Sequence, residues 1–265
     1  MEASDILTQK PDKSCCRGRS QTVPQEMNEI LDNYMRHDHK KTFVKQMFDD
    51  IHGKYDFLNT LLSFGQDRRW RKKAVKDIPS NGLTIDLCAG GGQLSRLLLS
   101  RRDFVGSVVL ADITLCMLKH YRRILSPKFD GRYFPVVCDA EKLPFKDCIF
   151  DGAVSAFSLR NLSDLEAFSN EVRRALKEDG RVRLLEIGHP KGRLFSALFE
   201  LYFYKISPLI ADLFTSKKYA YRYLPNSLKT FPAQDEVIKI LGKGWSYSSY
   251  QNILGGIAAI YKLQR

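Results

Sequence analysis

Apolar and polar positions along the chain change period several times, and those changes mark its elements. The apolar runs at 83–88, 107–111, 133–138, 149–157 and 181–186 read as buried strands. Between them, 94–100, 114–125 and 165–176 carry apolar residues at helical spacing; in the last, Phe168, Val172 and Leu176 share a face. Asp179-Gly180 predicts a stop before the fifth strand. Such β-α alternation predicts a Rossmann-like α/β fold, doubly wound and mostly parallel, with ligands at the carboxyl ends of its strands. Residues 245–250 and 257–262 read as a closing pair that adds an antiparallel C-terminal strand.

The flanks are helical by the same criterion. Phe43, Met47, Phe48 and Ile51 give 27–54 a helical stripe ended by Gly53; shorter helices are predicted from Leu58 and over 70–76. Phe195, Leu198, Tyr202, Ile206 and Leu209 form a second apolar stripe. Residues 219–232 read as irregular and 237–241 as a short helix. Residues 1–26 are a polar tail carrying Glu2, Asp5 and Asp12, unlike a secretory signal or an organelle transit peptide. We therefore expect one domain over 27–265, with a helical lid inserted around 191–232.

Composition narrows the picture only in places. At 44% hydrophobic and 27% charged, the 265 residues exclude disorder, collagen and a small disulfide scaffold. The most apolar stretch, 194–214, is interrupted by Glu200, Lys205, Pro208 and Asp212, so no spanning helix is expected. Six cysteines form no C-x-x-C pair and no zinc spacing, so no metal is expected and a reducing cytoplasmic setting fits. The net charge of +12 favours anionic partners. Arg68, Arg69, Arg71, Lys72, Lys73 and Lys76 concentrate that charge in a short segment, which suits anionic lipid, RNA or a merely solvated helix face.

The candidate chemistry begins at Asp86-Leu87-Cys88-Ala89-Gly90-Gly91-Gly92-Gln93, a strand-to-helix glycine turn. Glycines let backbone pass close to a ligand and aim amides at it, which serves NAD, FAD or S-adenosylmethionine (SAM) alike, or simply a tight turn. A dinucleotide fingerprint places a third glycine where Ser95 stands. Asp86, at the strand end, suits an ammonium group rather than a pyrophosphate. Asp112 ends the next strand 20 residues after Gly92, where a carboxylate accepts ribose hydroxyls or caps the following helix. Asp139-Ala140 follows the third strand, where a short polar side chain accepts from an adenine amino group or forms a surface turn. SAM is the ligand that uses all three strand ends.

Further motifs add a resemblance. Tyr55-Asp56-Phe57-Leu58-Asn59, Ser63-Phe64-Gly65, Arg69-Trp70-Arg71, Phe157-Ser158-Leu159-Arg160-Asn161, Arg174-Ala175-Leu176-Lys177 and Tyr221-Arg222-Tyr223-Leu224 resemble, in order, signatures of the C-methyltransferases of ubiquinone and menaquinone biosynthesis. The resemblance implies a class I SAM-dependent methyltransferase that methylates a ring carbon of a polyprenylated quinol. It implies Gly91, Asp112, Asp139, Ala140 and Ala156 as cofactor contacts, beside the Asp86, Gly90 and Gly92 of the loop. On the substrate side it implies Tyr55, Asn59, Arg160, Asn161 and Tyr221, with Arg160, Tyr55 and Asn161 the catalytic candidates. Arg160, always protonated, would hold a phenolate or orient a water rather than take a proton; its structural alternative is a pair with Asp164 or Glu166.

The chain departs from the family pattern at several points. Its loop has Gly91 and Gln93 where the family reads Thr and Asp; Asp67 replaces His; Glu178-Asp179 replaces Pro-Gly; Ala156 replaces a frequent Ser. A demethylmenaquinol substrate is expected, with a methoxy-polyprenyl-benzoquinol or a degenerate quinone-pathway scaffold as alternatives. Expected partners are the quinol lipid, transient contact with an anionic membrane surface through the 194–213 stripe, and a second copy of the chain. RNA methylation is the weaker alternative, since no N-P-P-Y-type motif is present.

Overall fold

The computed structural model describes residues 37–53, 55–125, 127–207, 210 and 218–265, with the side chains of 37–39, 55, 194, 218–222 and 224 outside that description. The 1–26 tail, Cys15, Cys16, Leu209 and Lys217 lie outside the described residues. Among the described residues three helices come first: α1 (His37–Ile51), α2 (Tyr55–Leu62) and α3 (Gln66–Ala74). The sheet then builds through β1 (Leu83–Leu87), α4 (Gln93–Leu99), β2 (Ser107–Asp112), α5 (Leu115–Leu118), α6 (Tyr121–Ile124), β3 (Tyr133–Val137), β4 (Phe150–Ala156), α7 (Leu165–Ala175) and β5 (Leu176–Ile187). After it come α8 (Arg193–Glu200), a π-helical turn (Leu201–Ile206), α9 (Lys218–Thr230), α10 (Gln234–Leu241), β6 (Tyr247–Ile253) and β7 (Ala258–Gln264).

The seven strands lie in the order β3-β2-β1-β4-β5-β7-β6. β1 to β5 pair in parallel, while β7 runs antiparallel to both β5 and β6. Strand order reverses between β1 and β4, which places a topological switch point at the glycine turn. Val108, Leu110 and Val154 pack one face of the sheet against Leu94 and Leu98, while Phe150, Phe168, Val182 and Tyr261 fill the other. A smaller cluster joins α1 to the inserted region: Val44, Met47 and Ile51 pack on Leu58 and on Tyr223 of α9.

Four expectations change. The helix expected over 114–125 breaks at Lys119-His120, and the break seats His120 and Ile124 against Gly91. The Asp179-Gly180 stop is a bulge inside β5: Phe150 pairs with Leu176 and Gly152 with Arg181, so 177–180 loop out with Asp179 at φ 63°. Residues 219–232 are mainly helical, because burial of Tyr223 and Leu228 carries α9 through Pro225. The apolar stripe at 195–209 faces the other way. Phe199 and Phe203, four residues apart, form the face that packs on the core and are buried and stacked at 5.1 Å. Phe195, Leu198, Leu201 and Ile206 are left exposed.

Candidate active site

A cleft opens at the carboxyl ends of β1 to β4, where ligands of open α/β sheets sit. Its floor is the turn after β1, where Gly90 and Gly92 take left-handed backbone (φ 55° and 84°) that side chains disfavour. That geometry aims the Gly90 N–H at Asp112, which accepts it through Oδ2 at 2.9 Å. The other oxygen of Asp112 accepts from the Thr114 N–H at 2.8 Å; Thr114 itself is the N-cap of α5, so Asp112 braces the turn on the cleft wall and does not cap the helix. Burial pushes the Asp112 carboxyl above its ordinary range against the opposing pull of those amides. Each oxygen keeps a second lone pair for a ligand hydroxyl.

Gly90, Gly91, Asp112, Asp139, Ala140 and Ala156 all line the cleft as expected. Gly92 does not line it; its role is to turn the loop into α4, with the fully buried Leu110 2.8 Å from where a Cβ would stand. Asp86 is also corrected. It lies beneath the turn, almost wholly buried, and its Oδ2 accepts from the N–H and hydroxyl of Ser95 at 2.9 and 2.6 Å. Burial raises it to about 7. It braces the loop from behind and does not line the cleft.

At the far end, Asp139 is already engaged. Its Oδ1 accepts from the Glu141 N–H, and its Oδ2 meets Lys41 Nζ at 2.8 Å; Lys41 also reaches Glu141. Burial lowers the Lys41 pKa, but the hydrogen bonds to the two carboxylates outweigh it and the net shift is upward. Lys41, Val44 and Phe48 thus bring α1 over the cleft, a covering that no sequence motif announced. Periodicity marked α1 as amphipathic and was silent about which polar residue turned inward.

The substrate-side candidates divide. Asn161 lines the cleft beside Phe157 and Leu162; its Nδ2 donates to the Phe157 carbonyl at 3.3 Å, and its Oδ1 is buried without a hydrogen-bond partner. Arg160 is not on the wall. It is 4% exposed and its Nη1 is paired with Glu186, which also accepts from the Arg160 N–H at 3.2 Å. That partner replaces the Asp164 or Glu166 considered from sequence; Asp164 instead caps α7. Asn59 Nδ2 is buried without a partner, and Asn59 lies outside the cleft lining. Tyr55 and Tyr221 stand in α2 and α9, with side chains outside the described residues.

A second, more open cleft adjoins the first, with Phe57, Leu61, Phe64 and Leu97 on its walls. Asp56, Arg71 and Gln93 line both. These three belong to motifs quoted above, yet spacing gave them no role.

Comparison with known proteins agrees with this geometry. The family model described as the ubiE/COQ5 methyltransferase family matches residues 35–264. A ubiquinone/menaquinone biosynthesis C-methyltransferase of Geotalea uraniireducens is 38% identical over 222 residues, covering 82% of this chain and 94% of the relative. A demethylmenaquinone methyltransferase of Desulfitobacterium hafniense is 36% identical over 255 residues, covering 94% and 97%. Among solved structures, a SAM-dependent methyltransferase of Thermotoga maritima superposes with a TM-score of 0.60 at 15% identity, covering 83% of this chain and 99% of that one. A phosphoethanolamine N-methyltransferase of Haemonchus contortus in complex with SAM gives 0.51 at 18%, covering 84% and 46%. With a sheet of this order, a glycine turn facing Asp112 and a family match over nearly its whole length, the chain belongs to the ubiE/COQ5 methyltransferase family and is a SAM-dependent methyltransferase.

Proposed function

We propose that this methyltransferase acts on a ring carbon of a polyprenylated quinol, converting demethylmenaquinol to menaquinol. The observation that carries the reading is Asn161. One buried, unpartnered acceptor, flanked by Phe157 and Leu162, suits a flat apolar ring bearing a hydroxyl donor. The names of the relatives from Geotalea and Desulfitobacterium support the same substrate class.

SAM, when bound, supplies a methyl group that is already electrophilic, so no covalent enzyme intermediate is required: the ring carbon gains the methyl, S-adenosylhomocysteine leaves, and the displaced ring proton passes to solvent as its bonding pair restores the aromatic ring. Asp112, Ala140 and the Gly90-Gly91 backbone would hold its adenosine side, with Asp139 beside them once Lys41 shares that carboxylate. The protein's task is then to align an electron-rich ring carbon and exclude competing water. Asn161 orients the ring hydroxyl. Arg160 acts at one remove: its bonds to Glu186 fix the turn that carries Asn161. Tyr55, Asn59 and Tyr221 are proposed for the substrate side through α2 and α9.

The prenyl chain requires a route to lipid. The exposed Phe195, Leu198, Leu201 and Ile206 on the inserted helix, near Lys191 and Arg193, suit transient contact with an anionic membrane surface. No helix among the described residues is long and apolar enough to cross a membrane.

The test is complementation of a bacterial strain that lacks its own quinone C-methyltransferase, with extracted quinones weighed by mass spectrometry. The reading predicts restored menaquinone. Restoration of the benzoquinone product alone would reassign the substrate. Accumulation of both unmethylated precursors beside a folded, SAM-binding protein would point to a quinone-pathway scaffold.

A further inference from the structure

We propose that Asp56 and Arg71 clamp the zwitterionic amino-acid end of SAM, Asp56 taking the α-ammonium and Arg71 the α-carboxylate. The sequence gives the ammonium to Asp86, but Asp86 is committed to Ser95 beneath the loop. The cleft therefore needs another carboxylate, and Asp56 provides it.

Asp56 stands against the middle of the glycine turn. Its Oδ2 lies 3.5 Å from the position that a Cβ on Gly91 would occupy. Gln93 Nε2 donates to the same oxygen at 3.0 Å and fixes the side chain. Both departures from the family loop thus lie against one carboxylate: Gly91 stands beside it, and Gln93 orients it without adding a second negative charge.

Arg71 supplies the opposite charge on the shared wall of the two clefts. It is 8% exposed, yet its Nε has no hydrogen-bond partner, and its ion pair to Asp67 is a long contact of 3.7 Å. Its guanidinium lies 4.8 Å over the Phe157 ring, which holds the plane in place. Asp67 offsets the charge at long range but leaves the Nε donor unused, and a carboxylate ligand would accept from the guanidinium's parallel N–H pair. A fixed acid and a fixed guanidinium on one wall match the two charges of an α-amino acid.

The inference rests on SAM as cofactor, and its test separates the two ideas. Calorimetric titrations compare SAM with 5′-methylthioadenosine, which keeps the adenosine, has a neutral thioether in place of the sulfonium and lacks the amino-acid end, and with S-adenosylhomocysteine, which keeps that end on a neutral sulfur and should lose affinity as SAM does. For Asp56→Asn and Arg71→Gln we expect SAM affinity to fall roughly ten- to a hundredfold, with methylthioadenosine affinity held within about twofold. Arg71→Lys, which keeps the charge and loses the planar fork, should fall between. Equal losses for SAM and methylthioadenosine, or none for SAM, would overturn the clamp while leaving the cofactor assignment standing. A folded wild-type protein that binds none of these ligands would overturn both. Thermal melts of each variant guard against misfolding; if Arg71→Gln melts early, Asp56→Asn and Arg71→Lys decide the question.

Discussion

Neighbouring glycines in the cofactor turn do different work. Gly92 needs left-handed backbone, and its missing Cβ makes room for the fully buried Leu110. At Gly91 a Cβ would meet the Ile124 Cδ1 at 2.7 Å, the far end of a half-buried side chain that can swing aside. Gly92→Ala should therefore lower stability by about 2–4 kcal/mol, adding left-handed strain to overpacking. Gly91→Ala should cost about 1 kcal/mol or less. Urea unfolding of the two variants checks the order; equal losses would contradict it.

Asp86 gives a pH signature at the same scale. Its folded carboxyl titrates near 7 against an ordinary 3.8, because burial penalises the charge. Between those values the folded state binds the proton more tightly than the unfolded chain. This contribution to stability is complete below about pH 4, declines as pH rises, and is gone above about pH 7. Asp86→Asn removes the titration and keeps an acceptor for Ser95. The variant should gain on the wild type by up to about 1.4 kcal/mol per pH unit across that window. A constant difference between pH 5 and pH 7.5 would show that burial does not govern this group.

At the scale of elements, the inserted helix gives the sharpest contrast. The stripe through Phe195, Leu198 and Tyr202 makes Leu198 a core position, whereas the adjacent face through Phe199 and Phe203 is the buried one. Phe203→Ala should cost about 3–5 kcal/mol, and Leu198→Ser less than about 0.5 kcal/mol. Thermal or chemical denaturation reads both, and the reverse ranking would refute the register.

That contrast also shows what was legible in the sequence. Strands β1 to β5 were, because runs such as Ile85–Leu87 and Val108–Ala111 are buried on both faces and need no partner to be recognised. The buried face of the inserted helix was not, because it is set by what Phe199 and Phe203 pack against. Pro225 misled for a related reason: tertiary burial of Tyr223 and Leu228 outweighs a local helix breaker. In the site, Asp112, Asp139 and Asn161 were legible from motif and strand end. Asp86, Arg160 and Lys41 depended on Ser95, Glu186 and Glu141, partners that spacing alone does not reveal.

At the scale of the whole molecule, α1 packs on Leu58 of α2 and Tyr223 of α9 and carries Lys41, Val44 and Phe48 over the cleft. A glycine-turn floor under a helical cover suits an alignment-driven methyl transfer, since the ring must be held near the methyl group with water excluded. The exposed apolar face lies on the inserted helix, and its Phe195 sits beside Gly255, just past the end of β6. We propose a homodimer through the C-terminal half, where β6 leaves a strand edge open to a second copy.

The most direct measurement is methyl transfer itself. Purified protein is incubated with SAM labelled at its methyl carbon and a short-chain demethylmenaquinol kept reduced, and the quinone fraction is analysed by mass spectrometry. The account predicts one labelled methyl group on the naphthoquinol ring, a rate that falls at least about tenfold in Asn161→Leu through loss of the orienting hydrogen bond, and no product from the oxidised quinone. An unlabelled quinone, from protein that binds SAM and is supplied with the reduced acceptor, would contradict it.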